Sequence, residues 1–274
     1  MKPFFIWIFL IGFFFNSAWA LDQTIENMLK DGVGVRPLGM GGAFSALADD
    51  LNSIFYNPAG LALYRKFAYA KGYQDLNHKN SRVDEYDFFS IKSAGFGHTF
   101  RKNSIENKQA EVFTYTYGRL SSNDVAWGIN YKTVNYKIDT LEKLGYSMDL
   151  GLLGYAAENF QWAVVFKDII KEAEIPASIR AGLYFSPLPR IALAADFDFH
   201  QLRDAKGPKI ISYLGIENKA ADGLSLRAGW YKNRLSGGFS AAMSFMVFEY
   251  ALVTSMPAEN MESCQLFGFK IELR

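Results

Sequence analysis

The chain has 274 residues, 50% hydrophobic and 16% aromatic, with a formal charge of +1 and a mean hydropathy of −0.03. That length admits one large domain or two ordinary ones, and the near-neutral balance removes the broad basic footprint of a nucleic-acid binder. Cys264 is the single cysteine, which excludes an intrachain disulfide and a zinc cluster of thiolates. It reads as a small residue in the last strand.

Residues 1–20 have the layout of a signal peptide. Lys2 gives the positive start, residues 4–15 the apolar run, and Ala18, Trp19 and Ala20 the small-residue site, so cleavage leaves Leu21 as the mature N-terminus. The run is about a dozen residues, short of the ~20 that span a bilayer as a helix. No later stretch offers eighteen unbroken apolar residues, which excludes a helical membrane protein.

Residues 22–31, DQTIENMLKD, can form a short amphipathic helix with Ile25 and either Met28 or Leu29 on one face. Residues 36–64 follow as a glycine-punctuated unit. Gly39, Gly41 and Gly42 supply positive φ or close backbone approach, and Asp49 and Asp50 can cap a helix predicted from Asn52. Asn57-Pro58 stops that helix, because proline lacks a donor and pushes its predecessor out of the helical region. Such a unit is too small to hold a core alone and needs a container.

From Lys66 to the end the periodicity is two rather than 3.6. Val125, Trp127, Ile129 and Tyr131 share one face while Ala126, Gly128, Asn130 and Lys132 share the other. The sorting repeats at 146–152, 160–166, 191–199, 224–230 and 265–273. Roughly fourteen runs of about ten residues fit an antiparallel transmembrane β-barrel, with the fatty rows facing lipid. Irregular connections after 231 and near 245 leave twelve strands as an alternative. A soluble sandwich would alternate too, with its fatty rows pressed together. Fuller connections (QDLNHKNSRVD, RKNSIENKQ, DIIKEAEIP, HQLRDAKGP) alternate with tighter ones (IKSAG, LSSND, AAEN, SPLPR), the asymmetry expected of outer loops and periplasmic turns. Trp127, Trp162, Trp230, Tyr131 and Tyr146 are candidates for interfacial girdles.

The pattern PLGMGGAFSALADD followed by FYNPAGLA resembles the N-terminal hatch of the PorV/PorQ family of outer-membrane proteins, which is similar in turn to FadL-type transporters. Weaker echoes are SMDLGLLGY at 147–155, IPASIRAGLYFSP at 175–187, LSLRAGW at 224–230 and FEYALV at 248–253. The resemblance implies a leader over 1–20, a hatch over 21–64 and a barrel over 65–274, in the outer membrane of a Gram-negative-type bacterium. It places the hatch motif on Arg36, Gly39, Gly41, Gly42, Asp49, Asp50, Asn57, Pro58 and Gly60. Arg274 departs from the family's pattern, whose last residue is usually aromatic.

The polar faces carry Lys132, Asp149, Arg180, Asp196, Asp198, Glu217, Arg227, Glu249, Lys270 and Glu272. Buried ions persist only when paired or wetted, so these read as lumen charges meeting one another and Arg36, Asp49 and Asp50 of the hatch. Asp196 and Asp198 could in principle serve acid/base chemistry, but an ion-pair role is the expected one. His78, His98 and His200 show no ligand spacing, no GxSxG elbow is present, and the glycines at 39–42 lack the lysine of a phosphate loop. No metal, cofactor or enzymatic activity is expected.

Two functions compete. A FadL-like transporter would admit small hydrophobic molecules past Phe44, Ile54, Phe55 and Leu61, although these residues could equally cement the hatch in place. A PorV-like protein would be a scaffold or a partner in type IX-like secretion, with envelope proteins on its outer loops; the short loops leave little surface for that. The expected partners are outer-membrane lipid, a small hydrophobic ligand or envelope proteins, and no nucleic acid.

Overall fold

The computed structural model describes residues 25, 28, 29, 32–76, 82–121, 124–170, 175–200, 208–231, 234–255 and 263–273. The leader at 1–20, His78 and Arg274 lie outside them. The first seven strands are β1 Phe67–Leu76, β2 Arg82–Ile91, β3 Ala94–Asn103, β4 Lys108–Leu120, β5 Val125–Ile138, β6 Leu141–Ala157 and β7 Phe160–Lys167. The other seven are β8 Ser178–Leu188, β9 Ile191–His200, β10 Lys209–Ala221, β11 Leu224–Tyr231, β12 Arg234–Met243, β13 Met246–Ser255 and β14 Cys264–Leu273.

All fourteen strands pair antiparallel with their sequence neighbours, and β1 pairs with β14 from Phe67↔Leu273 to Leu76↔Cys264, which closes the barrel. Closure leaves no edge strand and, among the described residues, there is no second sheet, so neither a sandwich nor a twelve-stranded wall forms. Register shifts occur at Tyr155/Ala157, Phe185/Leu188 and Lys219/Ala221, beside short turns of one rim. At that turn rim the left-handed residues Lys92, Asp124, Gly223 and Ser244 reverse the chain tightly. The other rim carries the longer connections, except at 139–140, where two residues suffice.

The alternation sorts the wall. On β9, Leu193 and Phe197 are exposed while Ala194, Asp196 and Asp198 are buried. On β5, Trp127 and Tyr131 point out while Ala126, Asn130 and Val134 are buried. A period of exactly two makes each strand present one side to lipid and the other to the lumen. The tyrosine row Tyr115, Tyr131 and Tyr146 continues across the outside of β4, β5 and β6, with centroids 6.4 and 6.3 Å apart.

The lumen contains the segment before β1. It forms helix α1 (Val35–Gly39), helix α2 (Ser53–Tyr56), a 3-10 turn at Pro58–Gly60 and helix α3 (Leu61–Tyr64). Asp50 sets the start of α2: its Oδ1 accepts from the Asn52 N–H at 2.8 Å and its carbonyl accepts from the Ser53 N–H at 3.0 Å. Asn57 ends α2 at φ −157°, and its side chain accepts from the Ala59 N–H at 3.1 Å to open the 3-10 turn. Phe44, Ile54, Tyr56 and Leu61 are fully buried against the inner wall, at about 1.5–3 kcal/mol each. The short helices would be marginal alone and persist because they are packed on all sides.

Candidate functional site

Close approach of this inner segment to the wall depends on glycines on both partners. Gly118, Gly128 and Gly151 lie in one inward row across β4, β5 and β6. A Cβ on Gly128 would come 2.3 Å from the Pro58 carbonyl carbon, so the 3-10 turn rests on bare backbone. Gly229 faces Gly41 in the same way: a Cβ on either would fall 2.0 to 2.5 Å from the other's strand or segment backbone, and Gly41 has φ +63°. At Gly39 a Cβ would sit 3.5 Å from the Ala251 Cβ, an ordinary contact.

Charged and amide side chains fasten the segment at three places. First, Arg36 on α1 donates from Nε and Nη2 to the two oxygens of Glu217, each at 2.8 Å, and from Nη1 to Asp49 at 2.6 Å and Asp50 at 3.0 Å. Glu217 also accepts from Arg227 Nε at 2.5 Å, and Arg227 donates to Ser240 Oγ at 2.7 Å. Lys270 lies 3.6 Å from Asp50 and 3.0 Å from Glu272. Burial pushes the Asp50 carboxyl up, but Lys270 and Arg36 outweigh it and hold the group down at about 2. Glu249 is buried on β13, between Ser240 and Gly268 in register.

Second, Asp196 Oδ2 accepts from the Phe44 and Ser45 N–H groups at 3.0 and 2.9 Å and from Arg180 Nε at 2.9 Å. Arg180 also donates to the Gly42 carbonyl and stacks 4.1 Å from the Tyr213 ring centre. Third, Asn57 donates to the Ser45 and Leu152 carbonyls at 2.9 and 3.2 Å, while Asn130 donates to the Ile54 carbonyl at 2.9 Å. These bonds satisfy backbone groups that the irregular segment leaves free inside the barrel.

Beyond α2, toward the loop rim, the described residues line a cavity of about 40 Å³. One side is apolar: Leu29, Ile54, Phe55, Val112, Val134 and Ile175. The other is charged. Lys132 bridges Asp149 at 2.7 Å and Asp168 at 2.5 Å, Asp198 lies 3.4 Å from His200, and Lys167 stands 4.8 Å over the Phe55 ring. Such a volume holds a water or two and no hydrocarbon of useful size.

Of the four apolar contacts read from the sequence, Ile54 and Phe55 line this cavity. Phe44 packs with Met40, Leu47 and Tyr56, and Leu61 with Val33, Leu51 and Phe88. The lumen charges divide too: Lys132, Asp149 and Asp198 reach the cavity, whereas Arg180, Asp196, Glu217 and Arg227 hold the inner segment. Lys167, Asp168 and Arg101 also line the cavity and were not singled out from sequence, and His200, weighed there only as a metal ligand, lines it too. Strand parity places Lys167 and Arg101 inward, since Val164 and Phe166 point out and Gly97 points in. Among the described residues, no cluster of His, Cys, Asp or Glu has the arrangement of a metal site.

No family description matches the sequence, and no curated protein matches it. Solved structures do match in fold. CymD, a monoaromatic hydrocarbon channel, is 14% identical with a TM-score of 0.67, over 89% of this chain and 98% of that one. The Pseudomonas putida toluene transporter TodX is 12% identical with a TM-score of 0.67, over 88% and 97%. A Pseudomonas aeruginosa FadL homologue is 10% identical with a TM-score of 0.58, over 88% and 98%. The fold is therefore that of FadL-like outer-membrane barrels.

Proposed function

We propose that this protein passes small hydrophobic molecules across the outer membrane, with residues 21–64 as a hatch inside the barrel formed by 65–274. In this reading residues 1–20 are the cleaved leader of an exported precursor. The observation that carries it is the cavity between α2 and the loop rim, where an apolar wall of Leu29, Ile54, Phe55 and Ile175 faces a polar one of Lys132, Lys167 and Asp198. Ligand sites combine apolar walls with a few fixed polar groups in this way. The fold likeness to channels for monoaromatic hydrocarbons and toluene supports the same class of solute.

At 40 Å³ the cavity is too small for such a solute, so passage requires α2 and its flanks to move. Uptake of radiolabelled toluene and of a long-chain fatty acid, by cells with and without the protein, tests the reading. Faster uptake with the protein is the expected result, and equal rates for both solutes remove it.

A second reading, a sealed scaffold of the PorV/PorQ type, is favoured by the ion pairs that tie the inner segment to the wall. It predicts no uptake, together with recovery of defined envelope partners from detergent-solubilised membranes. The two-residue connection at 139–140 leaves that role little surface at that part of the rim.

A further inference from the structure

The outer wall is not uniform. At mid-height on β5 to β14, among the described residues, every outward position is uncharged, as at Ile129, Leu150, Val164, Ala195, Leu214 and Ala228. On β1 to β4 the pattern breaks. Lys71, Asp87 and His98 stand directly opposite one another on three successive strands, each four or five residues from either strand end. Their outward orientation follows from parity, because Gly72, Phe88 and Gly97 on the same strands face the lumen.

These groups form one connected polar track. Tyr69 donates to Asp87 at 2.5 Å, and Lys71 Nζ lies 3.4 Å from the same carboxylate. The His98 ring lies 3.9 Å from Asp87 through Nδ1 and 2.8 Å from Glu111 through Nε2, and it stacks on Phe113. Glu85 shares the face, opposite Tyr73 and Phe100. The side chains of Lys71, Asp87, His98 and Glu111 are 45, 28, 26 and 34% exposed, so the track is paired within itself but open to whatever lies outside.

A basic residue facing lipid at the bilayer midplane costs about 2–4 kcal/mol, and an acidic one somewhat less. Gathering several on one strip, while ten other strands carry none at that depth, is uneconomical for a surface that meets acyl chains. We propose that the outer face of β1 to β4 is an intramembrane docking surface for a second, different polypeptide that presents a basic side chain. Charge selects that occupant: on the outward rows Asp75, Glu85, Asp87 and Glu111 outnumber Lys71 and Lys102, with Arg119 apart at the turn rim, leaving acid in excess. A second copy fits poorly. A two-fold axis along the membrane normal keeps each residue at its own depth and would bring the acids near the axis against themselves. The inference is independent of whether the barrel transports.

Photo-crosslinking in outer membranes tests it, with benzoylphenylalanine at Phe100 in the full chain and at Leu193 on β9 as the control. The expected result is an adduct with another polypeptide from position 100 and none from 193, the crosslinked peptide carrying a Lys or Arg. Neutralising the acids with Glu85→Gln, Asp87→Asn and Glu111→Gln should cut the yield at least tenfold while heat-modifiable migration persists. If the triple variant does not insert, Glu111→Gln alone should cut it at least threefold. An adduct of twice the chain mass, lipid adducts only, equal labelling at 193, or a yield indifferent to neutralisation overturns the proposal.

Discussion

Arg36 and Glu217, 181 positions apart in sequence, meet through two parallel hydrogen bonds of 2.8 Å in the barrel lumen. The planar guanidinium matches the carboxylate edge to edge, a geometry that lysine cannot reproduce. Its third nitrogen engages Asp49 and Asp50, so one side chain ties α1, the loop before α2 and strand β10 together. Removing it would leave three acids around Lys270 and Arg227 with too little positive charge.

Arg36→Ala is therefore expected to loosen the inner segment by about 3–5 kcal/mol, the usual cost of breaking a buried ion pair from one side. Arg36→Lys should recover only part of this. The strands pair independently of Arg36, so the heat-modifiable gel shift should persist. Liposome swelling with small sugars, and protease cleavage within 33–64, should both increase. Wild-type swelling and protection in Arg36→Ala would mean that the other two fastenings suffice.

The glycine contacts separate two kinds of glycine by measurement. Gly128→Val and Gly229→Val place a branched side chain where even a Cβ falls 2.3 or 2.0 Å from the inner segment's backbone, so each should displace that segment and increase swelling. Gly39→Ala should be neutral or stabilising by up to about 1 kcal/mol, since Gly39 ends a helix with ordinary contact space around it. Equal effects at 39 and 128 would contradict the packing described.

The charged wall of the cavity makes a further distinction. Lys132 lies between Asp149 and Asp168, and Ser147 donates to Asp168 at 2.9 Å. Lys132→Met leaves two carboxylates facing each other and should cost about 3–5 kcal/mol of stability against urea. Phe55→Ala keeps those pairs and enlarges the apolar side. If the cavity lies on the solute path, Phe55→Ala should change toluene uptake several-fold with little loss of barrel stability. Unchanged uptake in a protein that transports would place the path elsewhere.

Much of the architecture was legible because a lipid-facing barrel imposes period two on every strand. Trp127 against Asn130 and Leu193 against Asp196 declare their faces without any neighbour being known. Partner choice was not legible. Nothing in the order of residues says that Arg36 selects Glu217 over Asp149, since that depends on strand stagger around the whole barrel. The cavity depends on stagger too, because Leu29, Lys132, Lys167 and Ile175 are drawn from separate elements. The charges of β1 to β4 were visible as residues, but their outward orientation emerged only from closure, which fixes parity strand by strand.

The Arg36 node also sets a pH dependence. Although burial pushes the Asp50 carboxyl up, Lys270 and Arg36 outweigh it and hold the group down at about 2 in the folded protein, below the ordinary value of about 3.9 that it has when the chain is unfolded. The unfolded chain therefore binds the proton first as pH falls. The stability that Asp50 contributes is complete above about pH 5, declines through the window between the two values, and is gone below about pH 2. Swelling assays between pH 6 and pH 2 should show the inner segment loosening across that window. Asp50→Asn, which carries no charge at any of these pH values, should be looser at pH 6 and should respond less to acid. A response of wild-type size in Asp50→Asn would assign the acid sensitivity to the other lumen carboxylates, of which Glu217 shares the Arg36 guanidinium.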